Sequence, residues 1–133
     1  MLCKPYVDMG DVVRVCPFVS QLQTGSDDFY AQRNHARVWL DNAIRAHHAG
    51  FSDDTCEVVV DARVKHACAY KAASEILAQQ ITPNMDNAYA EMAARFQRIA
   101  EQELTTLIVK IYVFNQRHEL TLNLNVSPRG RYG

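Results

Sequence analysis

A chain of 133 residues, 48% apolar and 22% charged, holds material for one modest core but not two, and its composition excludes wholesale disorder. The formal net charge of −1 gives no electrostatic basis for binding free nucleic acid over the whole surface. The opening Met-Leu-Cys-Lys-Pro-Tyr-Val lacks the apolar core of a signal peptide, and the longest apolar run, Leu107 to Phe114 interrupted by Lys110, is too short to span a bilayer as a helix. The expectation is a soluble protein, made in a cytoplasm, with no membrane partner.

In chain order, residues 1–7 read as extended, held open by Pro5. Asp8 caps a short helix from Met9 to about Val15, with Asp11 near its positive end, and Cys16-Pro17 stops it. Residues 19–28 read as a polar loop ending in N-cap candidates. A second helix runs from about Asp28 to His47, with Gly50 as its stop; Phe29, Ala36, Leu40, Ala43 and Ile44 share one face, flanked by Trp39. Ser52-Asp53-Asp54 caps a third helix reaching about Gln80, although Val58-Val59-Val60 near its start are weak helix formers. Its core face is small: Ala62, Ala69, Ala72 and Ala73, with Val58, Ile76 and Leu77. Such a face lets helix axes approach closely and suits a central helix packed on two sides.

Thr82-Pro83 opens a fourth helix as N-cap and first helical residue. Met85, Tyr89, Met92, Phe96 and Ile99 then recur at helical spacing as one apolar stripe, with Asp86, Glu91, Arg95, Arg98 and Glu101 off it. Trp39, Leu40, Tyr70, Ile76, Leu77, Tyr89, Met92, Phe96 and Ile99 make up much of the expected core. Around Leu107 the chemistry changes. Leu107 to Phe114 is β-branched and aromatic, Leu120 to Val126 alternates apolar with polar, and Asn115 to Glu119 between them is turn-like, which predicts a β-hairpin. The fold class is therefore mainly α: a four-helix bundle-like body of one short and three long helices over residues 1–106, a C-terminal β-hairpin arm over 107–126, and an extended tail over 127–133.

Nothing in the chain reads as catalytic chemistry. Cys3, Cys16, Cys56 and Cys68 are separated by twelve, thirty-nine and eleven residues, with no C-x-x-C, and read as small semi-buried thiols free of disulfide and metal. His47-His48 lie near a helix C-terminus, where imidazolium suits the dipole; adjacent helical residues point about 100° apart and rarely chelate one ion. No glycine-rich phosphate loop, H-E-x-x-H or G-x-S-x-G occurs. Arg33, Arg37, Arg45, Arg63, Lys65 and Lys71 alternate with acids and read as solvated faces. No catalytic residue, cofactor or metal site is assigned.

The run Asp28 to Ile44, followed by Ala67-Cys-Ala-Tyr-Lys-Ala-Ala-Ser-Glu-Ile-Leu77, resembles the head–tail connector (adaptor) proteins of tailed bacteriophages. The matching positions are Ala36, Leu40, Asp41 and Ile44, then Ala69, Tyr70, Ala73 and Leu77, and the likeness extends over residues 8–107 as an ordering of elements. The resemblance implies a structural, non-enzymatic virion protein of the head–tail neck. It would form a ring of about twelve copies beneath the portal protein through heterologous contacts. Its partners would be the portal, neighbouring copies of itself and a tail-side neck or tail protein, with genomic DNA passing through the ring without sequence-specific binding. The residues leave two alternatives: a small helical enzyme or ligand-binding domain with an unrecognised site, and a helical DNA-binding regulator, against which the missing basic recognition helix counts.

The hairpin is the expected contact surface. Leu120, Leu122, Leu124 and Val126 point to one side of their strand, while Tyr112 and Phe114 project from the face opposite Val109, Ile111 and Val113. Both faces are thus partly apolar, more than four helices can cover, and an exposed face of that kind invites a partner. Tyr112, Phe114, Leu120, Leu122, Leu124 and Val126 are assigned to the portal or neighbouring-subunit interface, extended by Arg129, Arg131 and Tyr132 of the tail.

Overall fold

Asp8 starts the first helix by a reciprocal cap. Its Oδ1 accepts the Asp11 backbone N–H at 2.9 Å, and the Asp11 Oδ2 accepts the Asp8 N–H at 3.0 Å, fixing α1 over Met9–Val15. The structure, a computed structural model, describes residues 4–23, 28–52, 56–81 and 88–122. The segment expected to be a polar loop contains a fifth helix, α2 at Val19–Leu22, held by its buried Val19. The long helix α3 spans Tyr30–His47 and begins two residues later than Asp28 would have it. Phe29, buried in the core, takes the N-cap position in the left-handed region at φ 54°, and the Asp28 carboxylate pairs with Arg33 instead of capping. α3 ends at His48, before Gly50.

The third long helix also starts later than its acidic run suggests. Cys56–Val58 forms a strand, β1, and Asp61 caps α4, Ala62–Ala78, by accepting the Val64 N–H at 2.9 Å. The physical reason is local. A β-branched run prefers extended backbone, and Asp61, in extended conformation, satisfies the orphan donors of a helix start three residues downstream of β1. The predicted start at Thr82-Pro83 lies outside the described residues; the described helix α5 is Ala88–Thr106.

β2, Ile108–Val113, and β3, Gln116–Thr121, form the hairpin, joined by only two residues, Phe114 and Asn115, at φ 51° and 67°. Two consecutive left-handed residues are the hairpin turn whose twist matches the strands, so Gln116 to Glu119 are strand and not turn. β1 adds antiparallel to β2, with Cys56 opposite Val113 and Val58 opposite Ile111, giving a three-stranded sheet in the order β1-β2-β3. Val109, Ile111, Val113 and Leu122 belong to the same buried cluster as Leu40, Ile76 and Leu77. The hairpin is therefore a wall of the body and not a separate arm beginning at residue 107.

α4 is the hub. Ala67, Cys68, Ala69, Ala72, Ala73 and Ser74 are buried on it, and α1, α2, α3 and α5 all pack against it. Facing that alanine surface, α5 buries Ala93, Ala100 and Leu104, one step round from the large stripe read in the sequence. Close approach puts the small residues on the contact line and displaces Tyr89, Met92, Phe96 and Ile99 to its half-buried flanks. Trp39 and Tyr70 are likewise half-buried, Tyr70 stacking on Phe96 at 5.7 Å between centroids. Leu40, Ile76 and Leu77 are fully buried as expected. Ala73→Leu should cost about 1–3 kcal/mol by forcing the axes apart. Phe96→Ala should cost less than the roughly 3–5 kcal/mol of a fully buried ring. Urea melts of the two variants measure both, and a larger loss for Phe96 than for Ala73 would place the contact line on the large stripe.

Candidate functional site

Alternation along β2 sorts its side chains into two faces. Val109, Ile111 and Val113 turn inward, while Ile108, Lys110 and Tyr112 turn outward, beside Glu57 of β1 and Arg117, Glu119 and Thr121 of β3. Ile108 is 52% exposed, Tyr112 38% and the turn residue Phe114 74%, the largest exposure among the large apolar side chains described. A left-handed backbone is uncommon for an aromatic residue and is where glycine or asparagine usually sits. Phe114 thus combines a strained backbone with a solvent-facing ring, and packing explains neither.

The assigned contact residues divide accordingly. Tyr112 and Phe114 are exposed, as expected for an interface. Leu120 is half-buried against the core. Leu122 is corrected: at 0% exposure it is core, because its parity places it on the inner face with Val109. Leu124, Val126, Arg129, Arg131 and Tyr132 lie outside the described residues. Ile108, which shares the outward parity of Tyr112, was missed; the alternation of β2 carried that information.

Two clefts flank α1. One, of about 490 Å³, is lined by Asp8, Asp11, Arg14, Asp61, Lys65 and His66; the other, of about 580 Å³, by Lys4, Tyr6, Asp28, Tyr30 and Arg33 among others. Their carboxylates are engaged: Asp8 and Asp11 cap α1, Asp61 caps α4, and Asp28 holds Arg33 at 2.9 Å. The Asp11 backbone N–H holds the Asp8 carboxyl below its ordinary 3.8, against a smaller opposing effect of burial. Among the described residues no group of three or more His, Cys, Asp or Glu is placed to hold a metal ion. Cys16 and Cys68 are free thiols that burial pushes up, and Cys68 Sγ faces the Ala36 carbonyl at 4.0 Å.

Two arginines read as solvated are structural. Arg33 is buried and donates from Nη1 to the Val7 carbonyl at 3.1 Å and from Nε to the Asp28 carbonyl at 2.9 Å. Arg37 donates to Asp41 Oδ2 at 3.2 Å and lies 4.5 Å over the Tyr6 ring, whose hydroxyl donates to Asp41 Oδ1 at 2.6 Å. The segment before α1 is thereby pinned to α3. Of the positions carrying the connector resemblance, Ala36, Leu40, Asp41, Ile44, Ala69, Ala73 and Leu77 are buried and Tyr70 is half-buried.

Comparison with family models, curated proteins and solved structures found no match. Among the described residues no helix is long and apolar enough to cross a membrane.

Leu122→Ala should cost about 2–5 kcal/mol, whereas Phe114→Ala should stay within about 0.5 kcal/mol of the parent, both read by chemical denaturation. Asp8→Ala should cost about 0.5–2 kcal/mol by loss of the cap. Because the Asp8 carboxyl is held down in the fold, its contribution is complete above the ordinary value and fades as pH falls through the folded one. The gap between Asp8→Ala and the parent should therefore narrow on acidification below about pH 4; a constant gap would exclude the carboxylate as its source.

Proposed function

We propose that this chain is a structural neck protein of a tailed bacteriophage, a head–tail connector that assembles as a ring beneath the portal and joins the DNA-filled head to the tail. The observation that carries the reading is a helical body pinned by buried polar ties, with an aromatic hairpin turn, Phe114 beside Tyr112, turned to solvent. A connector performs no bond chemistry; it needs a stiff body and adhesive projections, and an aromatic tip is an economical anchor for a portal pocket. The buried α3 and α4 positions that match the connector pattern support the same reading, since they form the packed helix pair on which such a body depends. DNA crossing the ring would need no base-reading helix, in keeping with a net charge near zero.

The test is assembly. Native mass measurement and negative-stain microscopy of the full chain mixed with the portal complex of its phage should yield rings on the portal. The double variant Tyr112→Ser/Phe114→Ser should keep its helical circular dichroism and lose at least tenfold in portal binding, as expected when two aromatic anchors are removed. Failure of the intact chain to join the portal would overturn the proposal. Truncation after Thr106 is a poor probe of docking: it removes Val109, Ile111, Val113 and Leu122 from the core and should unfold the protein.

A further inference from the structure

The outer edge of β3 carries a second, independent message. The Leu122 N–H donates to the Leu107 carbonyl at 3.3 Å, which makes that position a hydrogen-bonded pair of the antiparallel ladder. Stepping by two along the register makes Val109–Leu120, Ile111–His118 and Val113–Gln116 pairs of the same kind. Gln116, His118 and Leu120 therefore spend their backbone groups on β2. Arg117, Glu119 and Thr121 direct theirs away from β2, because β3 is the last strand of the sheet among the described residues.

We propose that β3 pairs antiparallel with β3 of a second copy of this chain, about a two-fold axis at His118. Backbone parity limits the registers, and charge favours this one, because only an axis at His118 sets Arg117 opposite Glu119. An axis between two residues would set outward-directed groups against inward-directed ones, so the axis must pass through a residue. Through Glu119 it would face Glu119 with Glu119 of the second copy; through Arg117 it would face two guanidiniums. Through His118 it sets Arg117 of each copy opposite Glu119 of the other, in hydrogen-bonded pairs with all four backbone groups directed across the seam. Within one copy Arg117 and Glu119 already meet at 2.8 Å on the outer face, so the seam would hold a four-membered charge network. The same register lays the Phe114 turn, the most exposed apolar point described, alongside Leu122 of the second copy. Six strands then form one continuous sheet. A contact of this kind closes at two copies, whereas a ring uses head-to-tail contacts, so this pairing is distinct from portal docking and the two can fail separately.

The full chain without portal should sediment at about twice its 15.1 kDa. Arg117→Glu, which sets like charges opposite each other twice, should weaken self-association about tenfold, and Arg117→Glu/Glu119→Arg should restore it. Both side chains are about half exposed, so the fold itself should be untouched, as circular dichroism will verify. Under copper–phenanthroline oxidation, His118→Cys should form a reducible covalent dimer, because facing residues at the axis bring their Cα atoms within disulfide range. Glu119→Cys should form none beyond the parent. A chain that stays monomeric at high concentration overturns the proposal. So does a dimer indifferent to Arg117→Glu, a charge swap that fails to restore it, or cross-linking through 119 in place of 118.

Discussion

Close approach of helices around α4 is the constraint on which the rest of the structure depends. Alanine is the best helix former, so the sequence of α4 favours the helix before any packing occurs. The same small side chains let α1, α2, α3 and α5 come against it. Alanine buries little apolar area, however, and the bulk of the core is supplied around its ends. Leu40 and Ile44 come from α3, Ile76 and Leu77 from the last turns of α4, and Leu104, Leu107, Ile111 and Leu122 from the α5-to-sheet region. The sheet is the plug such a body requires, which is why Val109, Ile111, Val113 and Leu122 of its inner face are buried while Ile108 and Tyr112 of its outer face are exposed.

Polar ties add what alanine packing does not. Gln97 of α5 accepts from Lys71 at 2.8 Å and from the buried Ser74 hydroxyl at 3.2 Å, a lock that fixes how α5 sits along α4. Arg33, Arg37 and Asp41 do the same for the segment before α1. Such ties are geometrically specific, unlike the sliding contacts of methyl groups. They account for buried polar residues in a region whose apolar pattern alone would allow several helix registers.

How much of this was legible in the sequence follows from the range of each interaction. The Asp8 cap, the extent of α1, the length of α3 and the existence of the hairpin rest on neighbours within a few residues, and the sequence displays them. The strand identity of Cys56–Val58 depends on β2, far along the chain, so the nearer acidic run drew the helix start too early. The face of α5 was misread because hydrophobic periodicity weights large residues, whereas contact with an alanine surface selects small ones. At the candidate surface, the exposure of Tyr112 followed from alternation, whereas that of Phe114 comes from its place in the hairpin turn. Leu122 was misassigned because its inner-face parity, shared with Val109, turns it into the body instead of toward a partner. The roles of Arg33 and Arg37 were invisible, since a buried guanidinium and a solvated one have the same letter.

The order in which the sheet is assembled has a consequence for biosynthesis. β1 emerges from the ribosome before α4 and α5, and β2, its strand partner among the described residues, emerges after them. Through that interval Cys56 to Val60, with its β-branched Val58, Val59 and Val60, lacks β2 to pair with, while the alanine helix beside it is already able to form. A nascent chain at this stage is a natural client for a chaperone, and a message cut short before the codons for β2 would yield a product that presents a sticky strand to proteolysis or aggregation. Pairing of β2 with β1 thus both adds the hairpin to the core and covers that strand.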